Sequence, residues 1–457
     1  MADQRDGILQ YLRKNKEKNL GALKEILMIP SISTDPAHAA DMRHAAEWMA
    51  LQLRNLGMVK VQVHPTARHP IVYGEWLGAK GAPTVLVYGH YDVQPADPLE
   101  LWKTAPFEPT MRGENLYARG ASDMKGQAVA TLKAVEALVK NGGMPVNVKW
   151  LLEGEEEIGS PNLPKFIEGH KSLLACDYAL NPDSGMIGKE YPTITYSLRG
   201  LAYFELKVFG PAHDLHSGLY GGVVHNPANA LAELIAGMHD SKGRVTLPGY
   251  YDSVRKLSRE EREEIGRLPT DDSHYLEQTG VPALYGEAGY TGNELTGARP
   301  TLDVNGMLSG FTGAGSKTVI PAWAMAKLSM RLVPDQDPAE VHKQLVQYLE
   351  EKAPKDIRWE LTVMAGSPAS ISDRNNTAVQ AMASALEMVW GSRPYFKREG
   401  GSIPVVLDMQ KLLGVESVVT GFGLPDDNVH APNEKLHLPT WYKGIETYAH
   451  FFLNLKP

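Results

Sequence analysis

The chain has 457 residues, more than a single hydrophobic core usually organises, so the sequence predicts two domains. Its 43% hydrophobic and 22% charged residues are ordinary for a globular protein, and its net charge of −8 disfavours nucleic acid and anionic membranes as partners. No secretory signal or membrane span is expected, and the single cysteine, Cys176, excludes an intramolecular disulfide. These features predict a cytoplasmic protein.

The first part of the chain alternates predicted helices with predicted strands. In order, we expect helices at 7–28 and 40–56, strands at 60–64, 71–76 and 84–88, a helix at 127–140, and strands at 146–152 and 177–180. This alternation indicates an α/β fold, in which a mixed, mostly parallel sheet carries helices on both faces.

The pattern changes near residue 195. We expect a long strand or strand pair at 194–208, a helix at 226–238, a helical, solvated insert at 252–272, a strand at 318–333, a helix at 338–351 and a strand at 357–363. Helices at 377–389, 404–413 and 442–455, with a strand at 417–420, then resume the first pattern. The sequence therefore predicts a smaller α+β domain, 196–369, inserted into a larger domain formed by 1–195 and 370–457.

Three consecutive acids, Glu155, Glu156 and Glu157, follow the predicted strand at 146–152, in a loop marked by Gly154 and Gly159. Sheets of α/β proteins bind ligands at the carboxyl ends of their strands. Two like charges about 4 Å apart repel by roughly 4 kcal/mol at an effective dielectric near 20. A solvated acidic loop would explain this stretch equally well if it stood alone.

Further metal-ligand residue types follow other predicted strands. His90 and Asp92 follow the strand at 84–88, Asp123 lies in a glycine-rich loop before a helix, Asp183 follows the strand at 177–180, and His430 follows the last strand. Each has an ordinary alternative: a hydrogen-bonded core pair for the first two, a helix N-cap for Asp123, a turn for Asp183 and a loop histidine for His430.

Together these residues indicate a metal site. Asp123, Glu157 and Asp183 would repel one another by roughly 12 kcal/mol if all three pairs met, which rivals the stability of a domain, about 5–15 kcal/mol. Two divalent cations would balance the three carboxylates and a bridging hydroxide. Oxygen and nitrogen ligands without a thiolate suit zinc, manganese or cobalt, and we expect zinc.

Six motifs, in order along nearly the whole chain, carry a resemblance to a known family. They are GHYDVQP from Gly89, RGASDMKG from Arg119, EGEEEIGS from Glu153, DLHSG from Asp214, REGGSIP from Arg398 and HAPNEK from His430. The chain resembles the M20 family of di-metal peptidases and is most similar to its branch of cytosolic nonspecific dipeptidases and carnosinases.

The resemblance implies a ligand set for two metal ions. Asp123 would bridge the ions, His90 and Asp183 would complete one site, and Glu157 and His430 would complete the other. The ions would share a bridging hydroxide that attacks the peptide carbonyl.

The resemblance also implies that Asp92 orients a metal-binding histidine and that Glu156 is the general base, which passes a proton to the leaving amine. It assigns no role to Glu155, which we expect to be a solvated neighbour.

Substrate contacts are implied for the inserted domain and for Ser402. His216 would stabilise the oxyanion from the partner subunit of a homodimer built through this domain, with a turn histidine as the alternative. Arg331 would hold a substrate carboxylate, with simple exposure as the alternative. Thr318 and Ser402 align with positions that contact the bound peptide.

The sequence therefore predicts a metal-dependent hydrolase of dipeptides or short peptides with a free carboxylate. The nearest alternative is a deacylase or desuccinylase of N-acyl amino acids from the same family. A non-catalytic metal-dependent binding protein is disfavoured, because binding alone would not need Glu156 as a base. A phosphate-binding loop at 310–318 is rejected, because Lys317 is one place late and a strand follows.

Overall fold

The structure, a computed structural model, describes residues 2–401 and 403–455, and the chain divides into two compact units. The first unit comprises Met1–Tyr196, Ser372–Phe396 and Pro404–Pro457, and the second comprises Ser197–Ile371 and Lys397–Ile403. None of the helices in the described residues is both long enough and apolar enough to cross a membrane.

Most of the predicted helices are present in the described residues within a few residues of their expected bounds. In chain order the helices are α1 (Ala2–Lys14), α2 (Lys16–Leu27), α3 (Ala39–Asn55), α4 (Lys125–Lys140), α5 (Leu163–Gly169), α6 (Lys171–Leu174), α7 (Ser217–Tyr220), α8 (Pro227–Gly237), α9 (Arg259–Ile265), α10 (Asp272–Thr279), α11 (Gly292–Ala298), α12 (Pro338–Lys352), α13 (Thr377–Trp390), α14 (Pro404–Asp408) and α15 (Leu438–Asn454). Among these, the structure adds short helices that the sequence did not predict, α5, α6, α7, α10 and α11.

Two predicted helices are each divided in the structure. The helix expected at 7–28 is interrupted at Asn15, whose backbone leaves the helical region while its amide donates to the carbonyl of Tyr11 at 2.8 Å. Asparagine competes for backbone groups in this way and so favours helix ends. The helix expected at 404–413 ends at Asp408, and a π-helical turn, Met409–Leu413, completes the segment before Gly414.

The strands of the described residues form four sheets. In chain order they are β1 (Val59–His64), β2 (Ile71–Trp76), β3 (Thr84–His90), β4 (Thr110–Arg112), β5 (Asn115–Tyr117), β6 (Asn147–Glu153), β7 (Tyr178–Asn181), β8 (Thr193–Leu198), β9 (Gly200–Phe209), β10 (Leu215–His216), β11 (Asp303–Ser309), β12 (Val319–Ile320), β13 (Trp323–Leu332), β14 (Arg358–Ser367), β15 (Ser370–Ile371), β16 (Tyr395–Glu399), β17 (Ser417–Thr420) and β18 (Lys435–His437). The strand predicted at 318–333 is divided at Pro321, which has no N–H to donate to a ladder.

The large sheet of the first unit has the strand order β1-β2-β6-β3-β7-β17-β8. Its four central strands, β6, β3, β7 and β17, run parallel, whereas β1, β2 and β8 join antiparallel. The predicted mixed, mostly parallel sheet is therefore confirmed. Because the central strands are parallel, their carboxyl ends lie along one edge, and the segments that carry Glu157, Asp183 and His430 leave from this edge, whereas Asp123 lies in the connection from β5 to α4.

The second unit is built on a four-stranded antiparallel sheet with the order β11-β13-β9-β14. Alternate residues of β9 and β13 are buried, among them Phe204, Leu206 and Leu328, and they form one core with apolar residues of α8 and α12. The opposite residues of both strands stay partly exposed. This period of two is the pattern of an antiparallel sheet covered on one face.

Candidate metal centre

One group of possible metal ligands forms around His90, the last residue of β3. Its Nε2 lies 3.2 Å from Oδ1 of Asp123 and 3.7 Å from Oδ2 of Asp183. Ligand atoms of the three residues all lie within 4.8 Å of one another. Asp183 follows β7, the strand beside β3, so parallel pairing of the two strands brings these side chains together.

A second group shares Asp123. Oδ2 of this aspartate lies 2.8 Å from Nε2 of His430, which in turn lies 3.2 Å from Oε2 of Glu157. These three residues also offer ligand atoms within 4.8 Å of one another. The two oxygens of Asp123 thus face different histidines, which is the arrangement that a carboxylate bridging two cations requires.

Asp92 contacts both groups from the protein interior. Its fully buried Oδ1 lies 3.4 Å from Nδ1 of His90 and has no hydrogen-bond partner within the described part of the chain, while its Oδ2 accepts the backbone N–H of Glu157 at 3.1 Å. The hydrogen-bond partner of Nδ1 of His90 is the backbone carbonyl of Asp92, at 3.1 Å. An acceptor at Nδ1 leaves Nε2 available as a ligand. From the other side, Gln94 donates to Oε2 of Glu157 at 2.8 Å.

The electrostatics of the cluster fit bound cations. Burial, together with the neighbouring carboxylates of Asp123 and Glu157, raises the pKa of Asp183 to about 7, and burial with nearby carboxylates raises the pKa of Glu156 to about 8. Hydrogen bonds to Asp123 and Glu157 raise the pKa of His430 to about 10. Crowding thus raises the pKa of Asp183 and of Glu156, whereas, against the effect of burial, hydrogen bonds with His430 and His90 lower the pKa of Asp123, and a cation would relieve the repulsion among the carboxylates.

The donor set also fits the predicted metals. Each group offers one imidazole nitrogen and two carboxylates, with no thiolate, which suits zinc, manganese or cobalt. The N-cap alternative for Asp123 does not hold, whereas Asp183 does lie in a turn and its carboxylate still belongs to a ligand group. The residue at the N-cap of α4 is Met124 rather than Asp123, and the turn after β7 is held by Asn181, whose Oδ1 accepts the N–H of Asp183.

Residues 86–454 match the family described as peptidase family M20/M25/M40, which covers most of the chain. The chain belongs to this family. It is 32% identical to the Cys-Gly metallodipeptidase of Candida albicans, over 97% of this chain and 96% of that protein, and 31% identical to the human Beta-Ala-His dipeptidase, over 98% and 92%. It therefore falls in the dipeptidase branch of the M20 family, as the motifs predict.

A solved structure gives the same result for the fold. The M20 family metallo-carboxypeptidase Sso-CP2 from Sulfolobus solfataricus matches with a TM-score of 0.83 and 36% identity, over 96% of this chain and 99% of that one.

Two buried carboxylates that sequence analysis did not single out support the metal centre of this M20 peptidase. Glu434 accepts the N–H groups of Gly120, Ser122 and Asp123 at 2.8 to 3.1 Å and pairs with Arg119 at 2.9 Å. The HAPNEK motif contains Glu434, but its partners lie more than 300 residues earlier, so no local pattern could reveal them.

The second, Asp427, accepts the hydroxyl of Ser122 at 2.8 Å, the N–H of Leu424 at 2.7 Å and the ammonium of Lys435 at 3.0 Å. It therefore connects the loop that carries His430, which has a left-handed φ of 62°, to the loop that carries Asp123. Such a conformation is uncommon outside glycine and persists only where surrounding contacts hold it.

The substrate-side candidates of this M20 peptidase lie in its second unit. His216 ends β10, which pairs with β12, and the carbonyl of Thr318 accepts the N–H of Ser217 at 3.1 Å, so His216 and Thr318 are neighbours. Arg331 lies half-buried on the uncovered face of β13. Ser402 lies outside the described residues.

A second arginine, which sequence analysis missed, stands near Arg331. Arg199 directly precedes β9, whose Leu201 pairs with Arg331, so both arginines belong to the same face of the sheet. Burial, followed by the charge of Arg331, lowers the pKa of Arg199 to about 10. This end of the face therefore carries two neighbouring guanidinium groups, with the carboxylates of Asp303 and Glu399 also close enough to act on Arg199.

Proposed function

We propose that this M20 peptidase hydrolyses dipeptides and short peptides that carry a free C-terminal carboxylate. The observation that carries the proposal is the position of Asp123, with one oxygen in each of two ligand groups beside Glu156. Dipeptide substrates are supported by two relatives, named a Cys-Gly metallodipeptidase and a Beta-Ala-His dipeptidase, that align over nearly the full chain.

Two divalent ions, zinc in our proposal and manganese or cobalt as alternatives, would be held by one complete ligand set. Its members are His90, Asp123 and Asp183 for one ion and Asp123, Glu157 and His430 for the other. When bound, such ions lower the pKa of water and polarise a carbonyl.

Residues of the chain would transfer the proton and orient the metal ligands. Glu156, on the same loop as Glu157, would accept a proton from the attacking water and return it to the leaving amine. Asp92 would hold His90 in the tautomer that exposes Nε2. Nothing in this scheme requires a covalent intermediate with the protein.

Substrate recognition is proposed for four residues. Arg331 would bind the C-terminal carboxylate of the substrate through its two-pronged guanidinium group, with Thr318 and Ser402 contacting the peptide. His216 would donate to the oxyanion that forms on the scissile carbonyl. The positive charge of Arg199 beside Arg331 supports an anionic ligand at this end of the sheet.

We further propose a homodimer formed through the second unit, in which His216 serves the partner's active site. Both edge strands of its sheet expose apolar side chains, namely Val304, Met307 and Leu308 on β11 and Val363 and Met364 on β14, each between 39% and 55% exposed. Apolar edges of this kind favour association with a second copy. The single cysteine supports the cytoplasm as the proposed compartment.

The test uses protein from which a chelator has removed bound metal and which is then reloaded with zinc, manganese or cobalt. A panel of dipeptides should be cleaved only after a metal is restored, and N-acetyl and N-succinyl amino acids should be cleaved far more slowly. Preferred cleavage of N-acyl amino acids would instead assign a deacylase. Metal binding without turnover of any of these compounds would contradict an enzymatic function.

A second candidate is a carboxypeptidase that removes the last residue of longer peptides, because the 36% identical structural match is named a metallo-carboxypeptidase. Tripeptides and pentapeptides in the same panel distinguish the two. A dipeptidase loses kcat/KM as the peptide lengthens, whereas a carboxypeptidase retains it and releases the C-terminal residue first.

A further inference from the structure

Glu155 is buried, which corrects the expectation of a solvated side chain. It is 2% exposed, although the two acids that follow it are partly exposed. Its Oε1 accepts the backbone N–H of His69 at 2.8 Å and lies 2.8 Å from the hydroxyl of Thr66, whose proton is shared between Glu155 and the carbonyl of His69 at 2.7 Å. The side-chain amide of Asn162 lies 2.8 and 3.0 Å from its two oxygens, and the backbone N–H of Asn162 lies 3.2 Å from Oε2.

The carboxylate is held without a cation. No Lys, Arg or His side chain of the described residues forms an ion pair with Glu155, and its partners are N–H and O–H groups. Placing an unpaired negative charge two residues from Glu157 adds to the repulsion in a cluster that is already acidic. Stability alone would be served better by a neutral side chain, so the contacts point to a geometric role.

These contacts join three parts of the first unit. Thr66 and His69 belong to the connection between β1 and β2, and Asn162 directly precedes α5. Glu155 itself directly follows the loop residue Gly154 after β6. One side chain therefore anchors the start of the acidic loop to a segment almost 90 residues earlier in the chain.

The backbone of Glu155 also holds the turn that carries the proposed base, Glu156. Its carbonyl accepts the N–H of Ile158 at 3.2 Å and the N–H of Ser160 at 2.7 Å, closing a helical turn over Glu156–Ile158. At the other end of this turn, Asp92 and Gln94 hold Glu157. The turn is thus fixed on both sides.

We propose that Glu155 is a positioning residue, which sets the place of Glu156 as the base and of Glu157 as a metal ligand. The role of Glu156 in this statement rests on the proposed function, whereas the role of Glu157 requires only that the cluster binds metal. Substitution of residues that orient metal ligands typically costs 10- to 100-fold in metal affinity or activity.

The first test compares Glu155→Gln with Glu168→Gln, a matched control on an exposed face of α5. A glutamine at 155 keeps the size but turns an N–H₂ group toward donors. We expect kcat on a cleaved dipeptide to fall at least tenfold, KM to stay within about twofold because the substrate-side residues are untouched, and Glu168→Gln to match the wild type. Unfolding temperatures identify any variant that is simply unfolded.

A second readout does not depend on turnover. Calorimetric titration of the metal-free protein with zinc alone should show that Glu155→Gln weakens one of two binding events by about tenfold or more. If the wild-type protein cleaves no peptide, the proposed function fails, but this titration still supports or contradicts the positioning role.

A second substitution that restores the hydrogen bond between positions 155 and 162 should rescue the variant. In the Glu155→Gln background, Asn162→Asp replaces the amide donor with an acceptor for the new N–H₂ group, and it should recover much of the lost kcat and zinc affinity. If Glu155→Gln does not fold, Thr66→Val removes the hydroxyl that contacts Glu155, the carbonyl of His69 and the N–H of Arg68, and it should lower kcat in the same direction by a smaller factor.

Folded Glu155→Gln with wild-type kcat and zinc affinity would overturn the proposal, as would unchanged values in folded Thr66→Val. A loss of activity that only follows the unfolded fraction, with no rescue by Asn162→Asp, would also overturn it.

Discussion

At the scale of single residues, neighbouring acids of one loop have different environments. Glu155 accepts hydrogen bonds from donors in distant segments, Glu156 lies beside the charged groups of the metal-ligand cluster, and Glu157 faces His430. Burial raises the pKa of Glu156 to about 8, into the range in which a carboxylate can accept and return a proton near neutral pH. The environment of each acid, rather than its residue type, separates the proposed anchor, base and ligand.

Glu156→Gln should separate chemistry from metal binding. Because the glutamine keeps the size of the side chain and is not itself in either ligand group, the zinc content should stay at the wild-type level. Loss of the base should lower kcat by roughly 10²- to 10⁴-fold. Near-wild-type kcat in the metal-loaded variant, measured on a dipeptide, would show that another group moves the proton.

At the scale of secondary-structure elements, buried carboxylates connect segments that are distant in sequence. Glu434 directly precedes β18 and orders the loop before α4, while Glu136 on α4 joins the two N-terminal helices. Each interaction places one acid opposite a cation or several N–H groups. Removing one partner of a buried pair costs more than the pair contributes, because the remaining group stays desolvated.

Glu434→Gln should destabilise the protein by about 3–5 kcal/mol, because it leaves Arg119 buried without its charged partner. It should also weaken zinc binding, since the same carboxylate accepts the N–H of Asp123. Chemical denaturation and zinc titration measure the two effects. Unchanged stability would show that the loop before α4 is held by other contacts.

Glu136 supplies a stability change that depends on pH. Although burial works in the opposite direction, hydrogen bonds from Lys18 and Lys133 lower the pKa of Glu136 to about 2, from an ordinary 4.5. A depressed pKa stabilises the folded state above the unfolded value and loses this effect as pH falls toward the folded value.

We therefore expect Glu136→Gln to lower the unfolding temperature more at pH 7 than at pH 3. The exposed Glu168→Gln provides the control, with little change at either pH. An equal effect of Glu136→Gln at both pH values would contradict the assigned ion pairs.

The limits of sequence-based prediction follow the same distinction between local and distant contacts. His90, Asp123, Asp183 and His430 could be identified because strand ends and motifs are local features, and the parallel sheet brings them together. The burial of Glu155 could not be predicted, because its partners follow β1, almost 90 residues earlier.

The predicted boundary of the first helix was wrong for a related reason. A helical stripe continues across Asn15, so only the hydrogen bond of its side chain to Tyr11 reveals where the first helix ends. In contrast, the apolar alternation along 324–332 predicted the buried face of β13, because successive side chains of a strand point to opposite faces and the alternation is visible in the local sequence.

At the scale of the whole molecule, the proposed reaction draws on both units and on a second copy of the chain. The metal-ligand groups belong to the first unit, while His216, Thr318 and Arg331 belong to the second. The apolar edges of the second sheet support the proposed dimer, which makes each active site dependent on two chains.

Subunit mixing tests this dependence. Glu156→Gln and His216→Ala should each be nearly inactive alone. Co-expressed with different tags, half of the dimers should be mixed and one site in each should be intact, so activity should recover to about a quarter of wild type. Glu156→Gln mixed with Asp123→Ala is the control and should not recover, because each subunit of the mixed dimer then carries a defect in its own metal centre and no site is intact. Failure of the first mixture to recover would place His216 in its own subunit's chemistry or outside it.

The central claim is that Asp123 holds two divalent ions at once, and anomalous X-ray scattering at the zinc absorption edge tests it most directly. Crystals of the zinc-loaded protein should show two peaks, one among Asp123, His90 and Asp183 and the other among Asp123, Glu157 and His430. A single peak, or zinc bound elsewhere while these side chains contact one another directly, would contradict the account.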